Sequence, residues 1–400
     1  MSSRPPRIVA CLIVRDEAER LPACLASLGG QLEGVLVHDT GSTDDTPEVA
    51  AALGATVVRG TWPDDFAAAR NAALEEAVRR TAPDWVLSID ADEVLDGSLA
   101  DLPWLQADDV DAASIAITNT RAEAGWSHRA VRLFRPDRAV WQGRVHETVV
   151  SRRGAPLRVV EADQAVLRLV HAGYARPEAE QEKGARNAAL AAAELAQPDL
   201  PPQRRARLQL DLGRSQLSAG RMQEALDAFV AARDEATPGD RTWQSATDFL
   251  ARVLLTAGEY QLATGVSADL RSTGHAGYCD WLDAQALVHL GEPKRALSLL
   301  ADLDEVVDPE GRRFDPGMLH ETRALAAVLA GEPTRAADDL VVAMGRYGRI
   351  SGRGPLAQDL WLQAGRPPAD LLTELRREAG GRADLLDALD AELGSQEARA

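Results

Sequence analysis

The chain changes its hydrophobic pattern near residue 175. Before that point, four short runs are almost continuously apolar: "RIVACLIV" (7–14), "GVLVHD" (34–39), "ATVVRG" (55–60) and "DWVLSID" (84–90). Such runs predict strands buried on both faces, as parallel strands are. Between them, "RDEAERLPACLASLGG", "TDDTPEVAAALG" and "DDFAAARNAALEEAVRRT" carry apolar residues at helical spacing, with Asp or Thr available as caps or a glycine at the close. The alternation predicts an α/β domain built on an open, mostly parallel sheet with helices on both faces. In sheets of this type ligands gather beyond the carboxyl ends of the strands.

After residue 200 the strand signals fade and a different unit recurs. "SAGRMQEAL", "TAGEYQLAT", "HLGEPKRAL", "LAGEPTRAA" and a weaker "QAGRPPADL" place glycines at Gly220, Gly258, Gly291, Gly331 and Gly365, which are 38, 33, 40 and 34 residues apart. The first four copies keep an alanine five positions on, at Ala225, Ala263, Ala296 and Ala336. The period resembles the tetratricopeptide repeat, in which one helix ends at a glycine turn and the next packs closely through its alanine, giving an all-α solenoid. An unrelated helical bundle is the plainer reading. The expected division is 1–175 for the α/β domain, 176–200 for a helical connector and 201–400 for the repeats.

Composition narrows the function. With 62 acidic and 44 basic residues the formal charge is -18, which argues against a nucleic-acid surface. The three cysteines, Cys11, Cys24 and Cys279, fall in no metal or redox spacing and suit reduced thiols in a cytoplasmic protein. The opening segment is too quickly charged to read as a secretory signal, and no run approaches a membrane span.

The chemistry is concentrated at the strand ends. The fourth run closes on Asp90, Asp92 and Glu93, three like charges that call for a positive partner. Two carboxylates one residue apart suit a divalent cation, and Mg²⁺ or Mn²⁺ keeps positions open for phosphate oxygens when so bound. The second run ends in "VHDTGSTDDT" (37–46), where Asp39 and a glycine turn make a loop suited to a nucleotide base or ribose. The plain alternative is a capped turn, with Thr43 or Asp44 as the cap. The first run ends in Arg15, Asp16 and Glu17, so three strand ends meet at one polar edge.

Taken in order, "CLIVRDEAERLPACLASL", "VHDTGSTDDT", "DDFAAARNAALEEA" and "WVLSIDADE" resemble the family 2 glycosyltransferases, which have the A-type nucleotide-diphospho-sugar transferase fold. The resemblance spans about residues 6–150. It implies that Asp39 contacts the base or ribose of the donor, that Arg70 and Asn71 lie near the nucleotide, and that Asp90 and Asp92 serve a metal ion, Asp92 more directly. Arg15 and Glu17 join the donor-binding edge. The cofactor implied is Mn²⁺ or Mg²⁺, and the partners are a nucleotide-diphospho-sugar donor and a saccharide, lipid or peptide/protein acceptor.

The segment "HRAVRLFRPDRAVWQGRVHETVV" (128–150) resembles a bacterial subgroup of that family that carries tetratricopeptide repeats. Its "VHE" sets His146 and Glu147 on a short strand. An inverting transfer needs one base to take the acceptor proton, and Glu147 is the candidate; the alternative makes it an ion-pair partner of Arg132, Arg135 or Arg144. His146 and His171 are both placed to add a metal ligand, and His171, which follows an apolar strand, is preferred. His38 reads as a strand residue. Trp141 is read as a sugar-stacking ring or, more simply, as core. The whole describes a metal-dependent, inverting, hexosyltransferase-like enzyme, with self-association through the repeats compatible. The rival is a repeat-based binding scaffold with a degenerate transferase domain.

Overall fold

The computed structural model describes residues 4–119, 127–171 and 177–397. They divide into two compact units, one formed by residues 1–200 with 214–221 and the other by 201–213 with 222–400.

The first unit is built on a mixed sheet. Its strands are β1 (Ile8–Val14), β2 (Gly34–Asp39), β3 (Thr56–Arg59), β4 (Trp85–Ser88), β5 (Glu93–Gly97), β6 (Ala112–Asn119), β7 (Ser127–Phe134), β10 (Val159–Glu161) and β11 (Leu167–His171). The order is β3-β2-β1-β4-β7-β6-β11-β5, with β10 beside β6. The four runs predicted from sequence form the parallel block β3-β2-β1-β4. Beyond it β7 runs antiparallel to β4 and β6, and β5 antiparallel to β11. Two short strands, β8 (Ala139–Gln142) and β9 (Thr148–Ser151), make a separate hairpin.

Continuous apolarity in β1 has a direct cause. Side chains alternate across a sheet, and Ala10 and Leu12 enter one core while Val9 and Cys11 enter the other. The helices are α1 (Leu21–Ser27), α2 (Thr46–Ala52) and α3 (Phe66–Thr81). At the start of α3, Asp65 accepts from the Ala68 backbone N–H at 2.8 Å, the capping bond that the acidic residues before this segment predicted. The segment expected as a connector contains α4 (Pro177–Leu195), which belongs to the first unit.

The second unit is helical. Each of the five repeat glycines has φ between +72° and +81°, the left-handed conformation that lets a helix end and the chain turn back without a Cβ penalty. The four repeat alanines are buried, at 0–3% exposure, so each second helix approaches its neighbour through a small side chain. The pairs are α7 (Arg241–Thr256) with α8 (Tyr260–Arg271), α9 (Ala276–His289) with α10 (Pro293–Leu299), and α11 (Pro316–Ala330) with α12 (Pro333–Tyr347). No helix among the described residues is long and apolar enough to cross a membrane.

A buried polar group ties α7 to α9. Asp248 accepts from the Tyr278 hydroxyl at 2.5 Å and pairs with Arg252 at 2.8 Å. Burial pushes its carboxyl up to about 6, with Asp308 and Glu310 adding to the effect and Arg252 and Tyr278 opposing it. A carboxyl that ionises later in the folded chain than in the unfolded one stabilises the fold at low pH and loses that contribution as the pH rises from about 4 to 6. Replacing Asp248 by Asn is expected to abolish a fall of about 2–3 kcal/mol across this window. The check is the difference in urea-unfolding free energy between the two proteins at several pH values.

Candidate functional site

The strand ends meet as expected at the carboxyl edge of β1, β2 and β4, and hydrogen bonds interlace the two loops that follow β1 and β2. Asp16, at φ +54°, donates its backbone N–H to Ser42 Oγ at 3.0 Å and accepts from the Thr43 N–H at 2.6 Å. The N–H of Glu17 reaches Thr46 Oγ1 at 2.8 Å and that of Ala18 reaches Asp44 Oδ2 at 3.2 Å. Asp44 therefore staples the two loops together as well as holding Thr46 at the entry of α2. Asp39 is 4% exposed; its Oδ1 accepts from both the N–H and the hydroxyl of Ser42, which fixes the glycine turn. Arg15 projects outward, its side chain 55% exposed and 3.8 Å from Asp16. Glu17 pairs with Arg20 at 3.0 Å. Burial raises its carboxyl above the usual range, and Asp92 and Asp90 add to this, so Glu17 stands on the same edge as the acidic cluster.

The cluster itself sits in the turn between β4 and β5. The Asp90 N–H donates to Glu93 Oε2 at 2.9 Å while the Glu93 N–H donates to the Asp90 carbonyl at 3.0 Å, closing the turn on itself. The expected positive partner is present within the chain. Arg70, on α3, donates from Nη2 to Asp90 Oδ1 at 2.8 Å, from Nη1 to Ser88 Oγ at 3.1 Å and from Nε to Glu147 Oε1 at 2.6 Å. Arg132, on β7, donates to Asp90 Oδ2 at 3.0 Å and to Glu93 Oε1 at 2.8 Å. Three carboxylates and two guanidinium groups thus alternate as Glu147, Arg70, Asp90, Arg132, Glu93. Burial opposes ionisation of Asp90, but Arg70 and Arg132 outweigh it and hold the carboxyl well below its ordinary range. Glu93, 2% exposed, is pushed up by burial despite Arg132.

The lattice shows where the residues singled out from sequence lie. Asp90 was expected to share a cation with Asp92, yet each of its oxygens accepts from an arginine. Arg70, expected near the nucleotide, is 8% exposed and spends its donors on protein acceptors as the hub of the lattice. Asn71 pairs both ways with the Trp141 backbone, at 2.9 and 3.0 Å, and fastens β8 to α3. Trp141 is 8% exposed; Arg70 lies over its ring at 5.1 Å and Phe134 meets it edge-on at 5.8 Å. Its ring supports the hub and belongs to the core, the simpler of the two readings weighed from sequence. His146 and Glu147 lie in the turn between β8 and β9, with His146 at φ +49°, and not on a strand. His146 Nε2 is 3.1 Å from Ser215 Oγ. Glu147 is an ion-pair partner, but of Arg70 and none of the three arginines weighed from sequence.

Asp92 and His171 stand apart from the lattice. The antiparallel register of β11 on β5 sets His171 opposite Glu93, and His171 Nε2 comes 3.0 Å from Asp92 Oδ2. Both side chains are half-buried, 32% and 27% exposed. The hydrogen bond to Asp92 raises the imidazole above its ordinary value, and the same bond holds Asp92 low against burial. An imidazole nitrogen and a carboxylate oxygen within hydrogen-bond distance, facing a polar edge, fit a small divalent ion that keeps most of its other positions for water or phosphate. No cluster of three such ligands occurs among the described residues. Sequence reasoning placed Glu93 in the acidic cluster and weighed Arg132 only against Glu147; what it missed is that Arg132 pairs with Asp90 and Glu93, whose one signal was an arginine placed on an apolar strand.

A parallel block of strands with interlaced loops and a carboxylate–histidine pair at its carboxyl edge defines an α/β domain, here followed by helical repeats. Residues 10–151 match the family model for glycosyl transferase family 2. A TPR repeat-containing protein of Synechococcus elongatus is 37% identical over 185 residues, which are 44% of this chain and 44% of that protein. An uncharacterized glycosyltransferase of Rickettsia felis is 36% identical over 95 residues, 24% of this chain and 32% of that protein. The solved glucosyl-3-phosphoglycerate synthase of Mycobacterium tuberculosis, in complex with Mn²⁺ and uridine diphosphate, is 25% identical over 28% of this chain and 44% of that one, with a TM-score of 0.23. The chain spans less than half the length of these curated relatives. Its N-terminal part carries a glycosyltransferase family 2 domain, and tetratricopeptide-type helical repeats follow it.

Removing one partner from a buried ion lattice leaves a charge uncompensated. Arg70→Ala is expected to destabilise the first unit by about 3–5 kcal/mol. Adding Asp90→Asn to that variant should recover part of the loss, and a double-mutant cycle by chemical denaturation measures the coupling.

Proposed function

We propose that the chain transfers a sugar from a nucleotide-diphospho-sugar to an acceptor, with inversion and with help from Mg²⁺ or Mn²⁺. The observation that supports this reading is the Asp92–His171 pair: in a segment that matches family 2, the arginine lattice pairs Asp90 and Glu93 and leaves this pair partly exposed at the edge where the reading puts the donor. A cation held there would supply Lewis acidity to the departing diphosphate. Asp92 and His171 are its ligands in this reading, and Asp90 acts behind them by fixing the turn.

The remaining roles belong to the chain's own groups. Asp39 and the glycine turn it shapes receive the base or ribose, and Arg15 and Glu17 border the donor. Glu147 is the carboxylate assigned to take the acceptor proton. One of its oxygens is held by Arg70, which orients the carboxylate, while the other points to no partner recorded among the described residues. The acceptor is a saccharide, a lipid or a peptide, and the repeats are the surface assigned to recognise it.

One observation favours a second reading. The engagement of both Asp90 oxygens by arginine suits a binding scaffold whose transferase domain no longer turns over. Slow hydrolysis of a nucleotide sugar from a panel, in the presence of Mg²⁺ or Mn²⁺, belongs to the enzyme and not to the scaffold. Asp92→Asn is expected to leave the circular dichroism spectrum unchanged and to abolish metal-dependent donor binding. A variant that binds donor with the wild-type metal dependence would remove Asp92 from the assignment.

A further inference from the structure

In a chain of formal charge -18, three cations are gathered around the same edge as Asp92. Arg15 directly follows β1 and is exposed. Lys183 and Arg186 lie one turn apart on α4, both exposed and on one face of the helix. Lys183 is near enough to act electrostatically on both Asp92 and His171, and Arg186 likewise on Arg15. The guanidinium of Arg186 lies 5.6 Å from the ring of Phe66, the first residue of α3, and Trp62 meets that ring edge-on at 4.7 Å.

The position of α4 is tightly set. Ala188, Leu190 and Ala191 are buried beneath it. At Gly184, between the two cations, a Cβ would come 2.5 Å from the Ala219 backbone nitrogen and 2.9 Å from the Ser215 carbonyl. Only glycine permits that approach, so the helix is seated with Lys183 and Arg186 held at the edge. No ion pair to either cation is recorded among the described residues.

We propose that Lys183 and Arg186 of α4, together with Arg15, form a cation clamp for the diphosphate of the donor, supplied by a helix outside the matched family segment. The inference rests on the proposed transferase reading, which it deepens by giving the diphosphate direct protein contacts beside the Asp92–His171 pair. Charge-assisted bonds to phosphate oxygens are the strong ones, and the two α4 side chains are exposed, whereas Arg70 and Arg132 are consumed by the lattice.

The test is calorimetric titration of the full chain with uridine, guanosine and adenosine diphosphates, the matching nucleosides and inorganic pyrophosphate, with and without Mg²⁺. Lys183→Gln and Arg186→Gln should each weaken binding of the preferred diphosphate and of pyrophosphate by roughly tenfold, the loss of one charge-assisted bond. Nucleoside affinity should not move, Lys183→Arg should restore binding, and Lys294→Gln in the second unit should have no effect. If the wild type binds a nucleoside diphosphate and both glutamine variants bind it equally well, the clamp is overturned and the transferase reading stands. If the wild type binds no nucleoside diphosphate under any of these conditions, both fall.

Discussion

Two guanidinium groups holding three carboxylates at the carboxyl edge of the sheet are the constraint on which the first unit turns. A carboxylate as enclosed as Glu93, beside two aspartates, would be expensive to ionise without compensation. Arg132 on β7 provides it directly, and Arg70 on α3 pairs with the neighbouring Asp90. Because each arginine bonds two carboxylates, the lattice also fixes geometry: it ties the β4–β5 turn, the β8–β9 turn and α3 to one another.

The consequences reach the residues facing solvent. With Asp90 bound at both oxygens, the turn presents Asp92 outward, and the register of β11 on β5 delivers His171 to meet it. Trp141 and Asn71 serve the same end from behind, one as a platform beneath Arg70 and the other as a backbone clamp. On the far side of the edge, the Asp16–Ser42–Thr43 and Ala18–Asp44 bonds bind the β1 and β2 loops into one wall. The interlaced loops and the paired carboxylates behind them leave Asp92 and His171 as partly exposed groups at this edge.

Much of this was legible in the chain before folding was considered. Apolar runs ending in charge located β1, β2 and β4 and the edge where they meet, because a strand buried on both faces has to be apolar throughout and its end has to return to solvent. The repeat glycines were legible for a similar reason: a left-handed residue at a fixed period has few other causes. Arg132 was not legible as the partner of Asp90, since it lies 42 residues away and the pairing depends on β7 running antiparallel to β4, which no local pattern announces. Glu147 was misplaced on a strand because the apolar residues flanking "VHE" hide a turn whose only local marker is Gly143. Trp141 was ambiguous in sequence, as a large ring serves a pocket or a core equally well, and burial decided it.

The central proposal is that the internal arginines stay on Asp90 when the site is loaded, and that a divalent ion would be held by Asp92 and His171. Anomalous scattering from crystals of the full chain grown with Mn²⁺ and a nucleoside diphosphate locates the ion directly. The account predicts a single peak in this region, coordinated by Asp92 and His171, with Asp90 still bonded to Arg70 and Arg132. A peak bridging Asp90 and Asp92, with either arginine displaced from Asp90, would contradict it.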